Sequence, residues 1–304
     1  MTTIDLVPDS ERTGLIGALP AWARPYASLM RLDRPIGTWL LYWPCAWGLL
    51  LGGVNGRWDL LFWFLLGAFA MRSAGCAYND LIDRDLDRQV ARTRLRPLAS
   101  GRVTPRAAWV LIALLCLVGL LVLLQLPPLA QLTAIASVAL VAAYPFMKRI
   151  TWWPQAWLGL VFSWGALVGW ASVTEGLEPA AWWLWVGSVF WVVGYDTLYA
   201  IQDKEDDALV GVRSSARRLG SKAALGVGIF YLLAVIGWSL AIWSVRPERL
   251  ALLALAPAAL HLFGQAFRAD PDDGDKALAL FRSNRFTGLL LALGFAAVGL
   301  SQAA

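Results

Sequence analysis

The sequence predicts an all-α integral membrane protein, a bundle of nine transmembrane helices around a central cavity opening to the cytoplasmic side. Three observations carry that expectation. The 304 residues are 59% hydrophobic and 15% charged, with a mean hydropathy of +0.58, outside the range of soluble domains. The apolar residues gather in runs of about 18–22, enough to cross a ~30 Å hydrocarbon core at 1.5 Å per residue, whereas a barrel would show alternating segments of about 10. Basic residues are also one-sided: 22 of the 26 Lys and Arg fall in the N-terminal segment and in every second connection. The positive-inside rule puts those segments in the cytoplasm.

Residues 1–35 form the N-terminal cytoplasmic segment. Asp5, Asp9, Glu11 and Arg12 interrupt it, so a signal peptide is not expected, and Ala21–Asp33 reads as an amphipathic stretch lying at the interface. Residues 36–304 form a single transmembrane domain. Its spans are Ile36–Val54, Trp58–Tyr78, Ala107–Leu126, Leu129–Met147, Gln155–Val173, Ala180–Ile201, Ala223–Ser244, Leu250–Phe267 and Phe286–Ala304. Acidic clusters close the second and sixth spans, so 36–147 and 155–267 read as parallel pseudo-repeats followed by a ninth helix.

Several function classes lose their footing here. The basic pI of 9.3 follows from topology and does not imply nucleic-acid binding. Cys45, Cys76 and Cys116 lie in spans without metal or disulfide spacing and read as packing residues. The single histidine, His261, reads as an interior hydrogen-bonding residue, which leaves Ser–His and Cys–His chemistry little to work with. Tryptophans such as Trp152, Trp153, Trp182, Trp183 and Trp185 crowd the span ends as an interfacial belt.

The chemistry sits in the acidic clusters. If the second span continues as a helix, Asn79, Asp83 and Asp87 share one face, with Arg72 on the same stripe. Asp203 and Asp207 repeat the i, i+4 spacing after Asp196. Like charges at that spacing repel and call for a counter-charge. Mg²⁺ suits them, because it takes one or two carboxylates together with phosphate oxygens and water. Two such clusters with several arginines therefore read as a site for a magnesium diphosphate. A solvated loop of self-neutralising charges is the plain alternative. A transporter is another, although only Asp196 lies within a span. Tyr144 and Lys148, followed by Arg149, suit either a phosphate contact or a membrane anchor.

The run from Gly75 through Asn79, Asp83 and Asp87 to Arg92 and Arg96 resembles the first signature of the UbiA-type membrane prenyltransferases. The run Asp196, Thr197, Leu198, Tyr199, then Gln202, Asp203, Asp206, Asp207, Gly211 and Ser214, resembles their second. Tyr144 and Lys148 match the family's Tyr-x-x-x-Lys element, and the segment from Arg31 to Pro44 resembles the branch whose acceptor is 4-hydroxybenzoate. The resemblance implies transfer of a polyprenyl chain from its diphosphate to the ring carbon ortho to the hydroxyl, a step of ubiquinone biosynthesis. Members that use homogentisate, dihydroxynaphthoate or haem share the aspartate motifs. It also implies that Asp83, Asp87, Asp203 and Asp207, with Asn79, hold Mg²⁺. Arg72, Arg92, Arg96, Tyr144, Lys148, Asp196 and Tyr199 would bind substrate, with Arg34 or Arg149 pairing the acceptor carboxylate. The expected partners are the prenyl diphosphate, an aromatic acid and the lipid bilayer, the last expected to be a bacterial inner membrane.

Overall fold

A computed structural model describes residues 13–89, 93–204, 211 and 213–301, with only the backbone described at 13, 15, 148 and 149. Every regular element among the described residues is helical. The chain forms two compact units, Met1–Thr38 with Leu65–Leu123 and Trp39–Phe64 with Leu124–Ala304.

The first unit holds α1 (Thr13–Gly17), α2 (Arg24–Leu29), most of α4 (Asp59–Ile82), α5 (Arg84–Asp87) and α6 (Pro105–Leu123). Helix α2 packs one side into this unit. Ala27, Ser28 and Leu29 are buried, and Leu29 joins Ala77, Leu98, Val103 and Ala108 in one core cluster. The side chain of Arg24 fixes the preceding turn by donating to the carbonyls of Leu19 and Gly17 at 2.9 and 3.0 Å. Helices α4 and α6 approach closely through small residues, with Gly67 against Val122 and Gly119 against Met71, as helices do where no water drives them together. The opposite face of α6 leaves Leu114, Leu117 and Leu121 exposed, a surface that suits lipid and would be an aggregation hazard in water.

The second unit holds most of α3 (Ile36–Leu51), α7 (Pro128–Ile150), α8 (Pro154–Ser163), α9 (Gly165–Ala171), α10 (Pro179–Gln202), α11 (Ser215–Leu219), α12 (Ala223–Val245), a 3₁₀ stretch over Arg249–Leu255, α13 (Ala256–Arg268) and α14 (Gly274–Leu300). Helix α10 is the most buried of the long apolar helices. Its Trp191 packs on Trp47 at 4.9 Å between ring centroids, and Trp47 also meets Trp238 at 5.6 Å and Phe295 at 6.1 Å. These fully buried indoles form a core and not a belt, whereas Trp152, Trp182 and Trp183 are exposed as expected.

Among the described residues, 7 helical segments are long and apolar enough to cross a membrane. The expected first span is a helix of 16 residues, Ile36–Leu51. The expected fifth is divided at Trp164 into α8 and α9, of 10 and 7 residues. The Trp164 indole donates to the Thr133 carbonyl at 2.7 Å, while Gly165 and Gly169 pack where a Cβ would strike Cys45. The last helix begins at Gly274 and not at Phe286, because the Asp273 side chain caps it by accepting the Lys276 N–H at 2.9 Å.

Candidate functional site

The first acidic cluster occupies the end of α4 and the corner after it. The helix does not run on unbroken: α4 stops at Ile82, Asp83 takes φ −92° and ψ 1°, and α5 follows. The i to i−4 bonds survive the corner, with Asp83 N–H on Asn79 O at 2.9 Å and Asp87 N–H on Asp83 O at 2.8 Å. Asn79, Asp83 and Asp87 therefore still step along one side. Asp83 is fully buried and Asp87 nearly so. Asp85 is exposed beside Arg84 and Arg88, at 3.4 and 3.1 Å.

Arg96 reaches this cluster from the loop that follows. Its Nη1 donates to both carboxylate oxygens of Asp87, at 3.2 and 3.0 Å, and to Asp80 at 3.2 Å. The Thr93 hydroxyl donates to the Asp87 carbonyl at 3.0 Å, and the Arg96 N–H to the Thr93 carbonyl at 2.8 Å, so the loop is laced to the acidic corner. Asp80 also accepts from Arg31, and the i, i+4 spacing singles out neither residue. Their signal is charge at buried positions, and burial is not visible in a sequence. Arg72 packs its guanidinium against Gly37 and contacts the Cys76 sulfur. Arg34 pairs with the fully buried Asp33 at 3.1 Å. Arg92 lies outside the described residues.

The second cluster closes α10. Asp196 and Tyr199 are half-buried, Tyr199 packs on Phe281 at 4.8 Å, and Asp203 is the C-cap. Asp206 and Asp207 lie outside the described residues. The segment beyond them is tied back to α10 and α8: the Ser215 hydroxyl meets Thr197 at 2.8 Å, and the Ser215 N–H donates to Gln155 at 3.0 Å. Ser214 caps α11 by accepting from Arg217 N–H. Gly274 at the start of α14 packs on Gln202, and Lys204 meets Asp272 at 3.4 Å. Tyr144 is half-buried on α7 beside Pro145, and Lys148 and Arg149 close that helix, with their side chains outside the description. His261 makes the interior contact expected of it, Nδ1 to the Thr287 hydroxyl at 2.8 Å.

Among the described residues, no three His, Cys, Asp or Glu side chains converge to hold a metal by themselves. That does not disqualify magnesium, which usually takes one or two carboxylates and fills its shell with phosphate oxygens and water. Buried Asp83 and Asp87 offer oxygen donors only, the right chemistry for a hard cation.

A model of the UbiA prenyltransferase family matches residues 41–299. The chain is 41% identical over 303 residues to the mitochondrial 4-hydroxybenzoate polyprenyltransferase of Caenorhabditis elegans, covering 97% of this chain and 83% of that one. With the corresponding protein of Drosophila melanogaster it shares 43% over 276 residues, 90% and 70% of the two lengths. Among solved structures, a UbiA homologue from Aeropyrum pernix K1 in its apo form superposes with a TM-score of 0.67 at 25% identity, covering 84% of this chain and 96% of that one. A homologue from Archaeoglobus fulgidus bound to GPP and Mg²⁺ does so with a TM-score of 0.63 at 19% identity, covering 91% and 99%.

Proposed function

The chain belongs to the UbiA prenyltransferase family, and from that premise we propose that it moves a polyprenyl chain from its diphosphate to the ring of 4-hydroxybenzoate, ortho to the hydroxyl, in ubiquinone biosynthesis. It is an integral membrane enzyme of aromatic prenylation. The observation that carries the acceptor is identity above 40%, over nearly the whole chain, to relatives named for that substrate.

The chemistry needs no histidine. The allylic C–O bond breaks, its electrons leave with the diphosphate, the ring carbon attacks the cation, and the ring proton is lost. Bound magnesium supplies charge neutralisation to the leaving diphosphate. Of the chain's own residues, we assign Asp83 and Asp87 with Asn79, and Asp203 and Asp207, to the metal-bearing diphosphate. Arg92, Arg96, Tyr144 and Lys148 hold its oxygens, supported by Arg72, Asp196 and Tyr199. A pocket inside the bundle would exclude water that would quench the cation. Arg34 and Arg149 are the candidates for the acceptor carboxylate. The Asp33 pairing of Arg34 tilts the choice toward Arg149.

The finer topology is likewise a proposal: nine crossings, counting α3 and the α8–α9 pair, in one transmembrane domain of two pseudo-repeats, with the cavity mouth, N-terminus and acidic loops on the basic side. The charge bias bears on orientation and not on which membrane holds the chain, and the relatives named above are mitochondrial, so a bacterial inner membrane is not supported. An assay of isolated membranes with a polyprenyl diphosphate, Mg²⁺ and a panel of aromatic acids tests the function. The expected product, identified by mass, is 3-polyprenyl-4-hydroxybenzoate. Preference for an aromatic lacking the carboxylate would overturn the acceptor, and activity that needs an ion gradient would return the transporter reading.

A further inference from the structure

Asp80 neighbours Asn79 but points about 100° away from the stripe that carries Asn79, Asp83 and Asp87. Its carboxylate is buried, 1% exposed, and a lone carboxylate there would be costly. Two arginines meet it. Nη2 of Arg31 donates to both its oxygens, at 2.7 and 2.9 Å. Nη1 of Arg96 reaches it at 3.2 Å while also spanning both oxygens of Asp87. One nitrogen thus straddles two carboxylates, and its position is a compromise between them.

The other half of the arrangement is strained. Arg31 has φ +60°, a left-handed conformation that costs energy for any residue but glycine and persists where the surroundings over-determine it. The Arg31 N–H and Nη1 both return to the Ser28 carbonyl, at 3.0 and 3.2 Å. An ion pair serving stability alone would not need a strained backbone on one side and a shared donor on the other.

We propose that Asp80 is a positioning residue for the diphosphate-binding machinery, acting through Arg96. By competing for Nη1 of Arg96 it keeps that guanidinium from closing fully on Asp87, so the Asp87 carboxylate stays able to take a cation. By holding Arg31 it brings a second guanidinium into the acidic corner, so Arg96 does not carry the charge balance there by itself. Without Asp80, Arg96 turns wholly to Asp87 and neutralises the carboxylate assigned to the metal. This inference rests on the proposed role of the first cluster.

The test uses the full chain, purified into nanodiscs, with Mn²⁺ as the probe read by electron paramagnetic resonance in the presence of geranyl thiolodiphosphate. Asp80→Asn is expected to weaken Mn²⁺ binding about tenfold. It should raise KM for the prenyl diphosphate by a similar factor and leave KM for 4-hydroxybenzoate unmoved. Removing one partner of a buried pair can unfold a protein, whereas removing both usually does not. The double variant Arg31→Gln/Asp80→Asn therefore keeps the question decidable: its melting temperature should lie near wild type while Mn²⁺ affinity stays about tenfold down. If the double variant binds Mn²⁺ and diphosphate like wild type, Asp80 is structural and the proposal fails. Asp83→Asn separates the two levels. Should Asp83→Asn also bind Mn²⁺ and turn over normally, the reading of the whole cluster is wrong, and not only the role of Asp80.

Discussion

Asp83 and Asp85 stand two residues apart in one acidic run, yet the fold treats them oppositely. Asp83 is fully buried, while Asp85 is exposed beside Arg84 and Arg88. Substituting each therefore gives a paired prediction. Asp83→Asn should lower turnover on the order of 10²-fold or more, the scale of losing one group that stabilises transition-state charge, with the protein still folded. Asp85→Asn should change turnover less than about twofold, since exposed pairs contribute little. Steady-state rates at saturating Mg²⁺ decide it, and equal losses at the two positions would refute the site. Lys148 carries a second prediction at this scale. As a diphosphate ligand, Lys148→Ala should raise KM for the prenyl donor about 10-fold, a lost charge-assisted hydrogen bond being worth about 1.5–3 kcal/mol. If only expression falls, Lys148 is an anchor. The i, i+4 spacing made Asp83 and Asp87 legible in the sequence. Asp80 was not legible, because its meaning depends on Arg31, which returns to it from 49 positions earlier.

At the scale of elements, hydropathy found the apolar runs but not how they pack. The sequence could not reveal the division at Trp164, because α8 and α9 are both apolar and the break follows from contacts that Gly165 and Gly169 make with α3. The start of α14 was missed for a related reason. Lys276 and Arg282 carry charge that hydropathy assigns to a loop, yet both ride on the helix capped by Asp273. The interfacial reading of tryptophan at span ends does not extend to Trp47, Trp191 and Trp238, which are buried, since an indole in an interior is equally welcome once its N–H is bonded. Trp191 donates to Asn284 at 2.8 Å and Trp47 to the Gly288 carbonyl at 2.9 Å. Packing between α10 and α12 gives the prediction proper to this scale. A Cβ on Gly187 would lie 2.7 Å from the Trp238 ring and 2.8 Å from the Ala234 carbonyl oxygen. Gly187→Ala should therefore destabilise by about 1–3 kcal/mol, seen as a lower melting temperature. Gly264→Ala, with nothing near its Cβ, should be neutral or stabilising by up to ~1 kcal/mol through helix propensity. Equal melting temperatures for the two variants would mean that α10 and α12 do not pack as described.

For the whole molecule, the remaining question is which way the chain lies in the bilayer. Lysine and arginine resist translocation, and 22 of the 26 lie in the N-terminal segment and in alternate connections. Orientation is tested by single cysteines in a background without Cys45, Cys76 and Cys116. Leu95→Cys and Val210→Cys fall in the basic loops, and Leu177→Cys in the short turn before α10. A membrane-impermeant maleimide applied to sealed vesicles of known orientation should label positions 95 and 210 only from the cytoplasmic face, and position 177 only from the other. Labelling of 95 and 177 from one face would break the alternation of spans on which the nine-crossing topology stands. Labelling of all three in the reverse sense would keep the crossings and invert the protein, moving the diphosphate chemistry to the far side of the membrane.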